Sequence, residues 1–213
     1  MKTDELVTLL ATGTGTMPVA VPMRRYAVAL GAGMLGAVLL MFLFMGVRAD
    51  LGQAVMLPMF WVKAAFVACL ALTSGLVAWR LSRPGVRLAG MPGALAAPVI
   101  AMWALAAFVL VNADPARREQ LLMGGTSSYC PFFIALLSVP VFVAVIWAMN
   151  GLAPTRLRLA GAAAGLVSGS LGALVYSLHC TEMSAPFLGV WYVLGLMIPT
   201  AVGALMGPRW LRW

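Results

Sequence analysis

The residues in this sequence best suited to chemistry in an apolar setting are Cys69, Cys130, Cys180, His179, Glu182 and Lys63. Thiolates bind soft metals and exchange with disulfides. No C-x-x-C pair is present, so three cysteines allow at most one internal bridge and a spare thiol. His179, Cys180 and Glu182 bring borderline and soft ligands to one point of the chain. Together with Cys130 they make a candidate site for a thiophilic metal, although no recognised zinc spacing is present. The same residues also fit a purely structural disulfide beside a chance histidine. Lys63 is the one charged residue inside an apolar block. An intramembrane charge is a functional candidate by default, but Trp61 beside it favours an interfacial anchor whose amine snorkels outward.

The elements that must position these residues follow from composition. The chain is 63% hydrophobic and 9% charged, with a mean hydropathy of +1.00. A soluble domain has about half apolar and about a quarter charged residues, so water is not its main solvent. The apolar residues fall into six blocks, at about 26–47, 57–79, 92–111, 129–149, 159–178 and 186–206. Each has the length of roughly 20 residues needed to cross a bilayer core. The first is too long for a signal peptide h-region of about 7 to 15 residues and reads as a retained span. The expected fold is therefore an all-α integral membrane protein of six transmembrane helices. It comprises an N-terminal tail at 1–25, a membrane domain at 26–206 and a C-terminal tail at 207–213.

Charge sets the expected orientation. The net charge is +8, but the basic residues sit singly or in pairs between apolar blocks and form no aromatic-interleaved patch, so no direct nucleic-acid partner is implied. With the N-terminus inside, one side collects Lys2, Arg24, Arg25, Arg80, Arg83, Arg87, Arg156, Arg158, Arg209 and Arg212. The other holds Arg48, Arg117 and Arg118. Under the positive-inside rule both termini are cytoplasmic, in a bacterial inner membrane. The loops are short, the longest running from about Asn112 to Ser128, and no internal repeat is evident.

On this topology Cys69 lies about 11 residues into span two, roughly 16 Å deep, where it reads as an inert apolar side chain. Cys130 opens span four and Cys180 closes span five, so both face the oxidising outer side. They meet only if these spans pack together, which the short 151–158 loop favours. Span five carries Gly161, Gly165 and Gly169, a stripe read as tight intramolecular packing. Cys180 follows Gly169 by eleven residues, about 1100° of helix and so roughly 20° off that stripe.

The N-terminal tail offers a second kind of site. Thr3 is a candidate N-cap, Asp4 and Glu5 occupy the first turn, and Leu6, Leu9 and Leu10 share one face. Such a short amphipathic helix is marginal in water, and it fits either a partner's groove or the membrane surface.

Several segments together carry a family resemblance: Met1-Lys-Thr-Asp-Glu-Leu6, Phe60-Trp-Val-Lys63, Tyr129-Cys130, Tyr176-Ser-Leu-His-Cys180-Thr-Glu182 and Trp191-Tyr192. The chain resembles, over essentially its whole length, the NrsF-type negative regulators of sigma F. The resemblance implies a membrane-bound anti-sigma factor. Such a protein holds an extracytoplasmic-function sigma factor inactive on the cytoplasmic face and releases it under heavy-metal or oxidative stress. It also implies a signal-responsive role for Cys130 and Cys180, no catalytic activity and no cofactor. The rival reading from another class is a membrane thiol oxidoreductase or a small-solute or metal transporter. Redox shuttling usually needs a vicinal cysteine pair. Transport needs polar groups near the midplane on several helices, where this sequence places only Lys63.

Overall fold

A computed structural model describes residues 4, 5, 7, 8, 20–83, 88–152 and 154–212. Among them every regular element is a helix, with no strand. Six helices are long and apolar enough to cross a membrane, as the hydropathy blocks predict. We number the helices in chain order. The long ones are α1 (Ala20–Phe44), α3 (Pro58–Leu81), α4 (Met91–Asn112), α6 (Cys130–Asn150), α7 (Leu157–Tyr176) and α8 (Ala185–Trp210). Two short ones lie between them, α2 (Leu51–Ala54) and α5 (Pro115–Met123).

Proline punctuates these helices as its missing N–H dictates. It stands within the first two positions of α3, α4, α5 and α6, where the lost donor has no intrahelical partner anyway. Pro98, Pro140, Pro199 and Pro208 lie inside helices. α8 begins with a turn of α-helix, Ala185–Phe187, and widens to a π-turn at Leu188–Tyr192 before resuming. The Gly189 carbonyl in that turn accepts the Trp103 indole N–H of α4 at 2.8 Å.

Successive long helices run antiparallel, so the ends of the bundle differ in character. At one end Arg25 of α1 donates to the Trp147 carbonyl of α6, and the Tyr26 hydroxyl pairs with that of Ser82 after α3. We call this the arginine end. At the other, the cysteine end, Lys63 of α3 and Arg48 after α1 reach the carbonyl of Cys180.

α7 is the most buried span and α4 the least. The glycines of α7 explain why. A Cβ built at Gly161 or Gly165 would collide with the carbonyl oxygens of Gly203 and Pro199 of α8, and one at Gly169 would lie 2.9 Å from Pro199 Cγ. On the adjoining face, a Cβ at Gly172 would meet the Ser138 nitrogen of α6 at 2.9 Å. The expected small-residue stripe is therefore a backbone-to-backbone seam with α8. α7 also packs on α6, the neighbour needed to bring Cys130 and Cys180 together.

Two features differ from the sequence-based expectation. The stretch from Asn112 to Ser128, read as a loop, contains α5, capped by the Asp114 carboxylate on the Ala116 N–H at 3.2 Å. α7 ends at Tyr176, so Cys180 lies beyond it in an irregular segment that leads to α8. Its amide still bonds the Tyr176 carbonyl at 2.9 Å, but the helical-wheel projection from Gly169 does not apply to its side chain.

Candidate functional site

The cysteine end is built around the segment 177–184. Cys130 is the first residue of α6 and is 0% exposed, and Cys180 is 2% exposed. Both thiols are free. The Tyr176 side chain, on the last turn of α7, interacts with both. Tyr192, in the π-turn of α8, packs its ring on Tyr176 with centroids 6.0 Å apart. Its buried hydroxyl lies beside Cys180 but makes no hydrogen bond of ordinary geometry. Two tyrosines and two cysteines from α6, α7 and α8 thus form one enclosed cluster. Residue type alone does not mark Tyr176 and Tyr192 for chemistry, although Tyr176 stands four residues before Cys180.

Two cations fix the backbone beside this cluster. Lys63 is fully buried, and its Nζ donates to the carbonyls of Cys180 at 3.0 Å and Glu182 at 3.1 Å, 5.2 Å from the centre of the Tyr192 ring. This corrects the expectation that Lys63 snorkels outward beside Trp61. Trp61 is exposed and donates to the Val55 carbonyl, whereas the lysine turns inward. The reason is local: two carbonyls of the irregular segment after α7 lie within reach of Nζ, and a buried acceptor needs a donor.

Arg48 adds a longer bond to the Cys180 carbonyl at 3.3 Å, and its own N–H donates to the Leu178 carbonyl at 3.2 Å. Its guanidinium forks onto Asp50 at 2.7 and 2.6 Å. Those hydrogen bonds hold the Asp50 carboxyl below the usual carboxylate range and raise Arg48 further.

α5 and the turn after it lie over this segment. The Ser184 hydroxyl donates to the Leu121 carbonyl and the Trp191 indole to the Leu122 carbonyl, both at 2.8 Å. The Glu182 carboxylate accepts the Gly125 N–H at 2.7 Å. Gly124 has a φ of 54°, a left-handed conformation that favours glycine, and a Cβ there would stand 2.7 Å from Glu182 Cδ and push that carboxylate aside. A polar cavity of about 630 Å³ opens between Arg117, Gln120, Glu182 and Ser184.

His179 is half-buried, and its Nδ1 lies 2.9 Å from the Gly46 carbonyl, which makes Nδ1 the protonated nitrogen. Gly46, at a φ of 71°, is the left-handed residue that ends α1 and turns that carbonyl toward the ring. Among the described residues no three of His, Cys, Asp and Glu converge as a metal-holding group. The structure therefore places Cys130 and Cys180 as free, buried thiols on either side of Tyr176 and occupies one nitrogen of His179 elsewhere. Cys69 is exposed on α3, in a shallow apolar groove facing Pro98 of α4, apart from this cluster.

Over residues 10–213 the sequence matches the family described as negative regulator of sigma F. It is 54% identical over 213 residues, with complete coverage of both chains, to a protein of Azospira oryzae named probable anti-sigma-F factor NrsF. It is 39% identical over 216 residues, again with complete coverage, to the anti-sigma-F factor NrsF of Caulobacter vibrioides. The chain belongs to the family of negative regulators of sigma F. No solved structure matches it.

Within this family frame the N-terminal tail is the second candidate site. Asp4, Glu5, Val7 and Thr8 are helical and exposed, and the Thr8 hydroxyl donates to the Asp4 carbonyl at 2.8 Å. Thr3, Leu6, Leu9 and Leu10 lie outside the described residues.

Proposed function

We propose that this protein is an inner-membrane anti-sigma factor that holds an extracytoplasmic-function sigma factor at the cytoplasmic face and releases it when Cys130 and Cys180 react at the periplasmic face. The full-length likeness to two proteins named as anti-sigma-F factors carries the first part. The enclosure of both thiols around Tyr176 carries the second. Membrane placement rests on six apolar spans. Its orientation rests on the arginines gathered opposite the cysteines, with both termini cytoplasmic.

Chemically the pair accepts two classes of stimulus. An oxidant removes two electrons and two protons to form a Cys130–Cys180 disulfide. A thiophilic cation displaces the two protons and is held between the thiolates. Either product needs sulfur positions that differ from those of two separate thiols sharing a tyrosine. The change therefore pulls on the 177–184 segment and on α6 and α7, which run to the cytoplasmic side. To move the partner from 1:99 to 99:1 released, the modification must favour the released arrangement by roughly 5.5 kcal/mol. The N-terminal segment that carries Thr3, Asp4, Glu5, Leu6, Leu9 and Leu10 is the proposed grip on the sigma factor, a short amphipathic sequence that folds on its partner. The activity is regulatory, not enzymatic, and needs no cofactor.

Affinity-tagged chain is expected to co-purify with a sigma factor, and deletion of residues 2 to 12 is expected to abolish that capture. Retained capture would move the grip to the inner loops. Sigma-dependent transcription is expected to lose its metal and oxidant induction in Cys130→Ser and Cys180→Ser. Unchanged induction in both variants would refute sensing while leaving sigma binding intact, and catalytic reoxidation of a dithiol substrate by purified protein would refute the regulatory reading.

A further inference from the structure

At the arginine end an almost wholly apolar groove of about 320 Å³ runs between α1 and α3. Its floor is Val145 of α6 and Val167 of α7, and its walls include Tyr26, Leu30, Leu76 and Trp79. From Met23 to Leu30 it follows seven residues of α1, about 10 Å of helix. The edge of Tyr26 meets the face of Trp79 at 5.2 Å, and the Tyr26 hydroxyl is fixed on Ser82, so this wall is rigid.

Gly75 is a second, independent sign. It lies inside α3, where glycine is about 1 kcal/mol less favourable than alanine. Its φ is not positive, and a Cβ there would stand 3.7 Å from Val167 Cγ2, an ordinary contact. Neither backbone conformation nor helix packing requires a glycine at this place. What its missing side chain does is leave the groove open.

The mouth of the groove is cationic. Arg80 stands four residues beyond Leu76 on the same face of α3, and Arg83, two residues past the end of that helix, lays its guanidinium over the Trp79 ring at 4.5 Å. Arg24 precedes Ala27, another lining residue, by three positions on α1. Among the described residues no carboxylate lies within ion-pair distance of any of the three, the one such pair being Arg48 with Asp50 at the other end. Arg25, by contrast, is spent on the Trp147 carbonyl and ring.

We propose that this groove binds an anionic phospholipid of the inner leaflet, with an acyl chain along Gly75 and its phosphate among Arg24, Arg80 and Arg83. The groove lies along the flank of two spans, where acyl chains and not soluble partners are the neighbours, and basic pockets between helices on the cytoplasmic side suit anionic headgroups. The assignment rests on the membrane placement above and not on sigma binding.

The test is native mass spectrometry of the full-length protein equilibrated with equal phosphatidylglycerol and phosphatidylcholine. Wild-type protein is expected to retain phosphatidylglycerol at least tenfold over phosphatidylcholine. Arg80→Gln with Arg83→Gln is expected to reduce that preference by about fivefold per arginine. Gly75→Leu, which fills the groove, is expected to reduce retention of both lipids, with Gly75→Ala as the folding control. Equal retention of the two lipids by the wild type, or an unchanged preference in the double-arginine variant, overturns the proposal. So does a photo-crosslinker at Leu76 that captures polypeptide instead of lipid in intact cells, which would assign the groove to a protein partner. Loss of sigma co-purification with the lipid preference intact would strike the regulatory reading alone.

Discussion

Replacing Lys63 by methionine removes both bonds that the Nζ makes to the 180–182 backbone while keeping an unbranched apolar stem of similar reach. Two intramolecular hydrogen bonds contribute about 2 kcal/mol together. The Cys180 carbonyl keeps only the longer bond from Arg48 at 3.3 Å, and the Glu182 carbonyl keeps no donor among the described residues. Global stability is expected to change by less than this sum, because withdrawing a buried amine from an apolar end offsets part of it. Local opening of the segment, however, becomes easier by about 2 kcal/mol, roughly a 30-fold rise in the open population. Cys180 is 2% exposed in the closed state, so its reaction with N-ethylmaleimide reports that population directly. Peptide-resolved mass spectrometry separates its labelling from that of Cys130 and of the exposed Cys69. A rate for Cys180 within threefold of wild type, in a variant with unchanged helical content, would refute the claim that Lys63 holds the segment closed.

Four further outcomes are expected. Gly161→Ala forces a Cβ against the Gly203 carbonyl and should destabilise the protein by about 3 kcal/mol, the upper range for overpacking, whereas Gly31→Ala, with nothing within 4 Å, should be neutral or stabilising; thermal unfolding in detergent compares them. Ser82→Ala orphans the buried Tyr26 hydroxyl at about 1–3 kcal/mol, and adding Tyr26→Phe should recover part of that loss in a double-mutant cycle. Asp50→Asn should loosen Arg48 and speed hydrogen exchange at the Arg48 amide, which donates to the Leu178 carbonyl. In the wild-type protein the Asp50 carboxyl is held low, so its contribution is present at neutral pH and is lost as pH falls below about 4; exchange at the segment should quicken only in that acid window.

The six spans are legible because hydropathy and length are averages over twenty residues, which no single contact overturns. The packing of α7 on α6, which brings Cys130 and Cys180 to the same end of the bundle, is legible in the short 151–158 connection, whereas the stripe of glycines serves the seam with α8 instead. Less was legible where one hydrogen bond decides the outcome. Lys63 turns inward because two carbonyls lie within reach after Tyr176, and their position depends on where α7 stops. α5 escapes a hydropathy reading because it is polar and short, although Asp114 followed by Pro115 is a helix-start signal. The π-turn that places Tyr192 over Tyr176 leaves no mark in residue periodicity, since it adds a single residue to one turn. Tyr26 and Ser82 lie 56 positions apart and meet only because the start of α1 and the end of α3 come to the same end of the bundle.

The seam between α7 and α8 has a mechanical consequence. Where carbonyl oxygens of one helix occupy the space that side chains of the other would fill, no rotatable layer lies between them to absorb a displacement. The two helices act as one stiff strut, about 30 Å long for the 20 residues of α7. Its far end carries Arg156 and Arg158 before and within α7 and Arg209 near the end of α8. A displacement applied at the Tyr176 end of this strut would not be dissipated along the way, so the rigidity of the seam couples the positions of the two ends of the bundle.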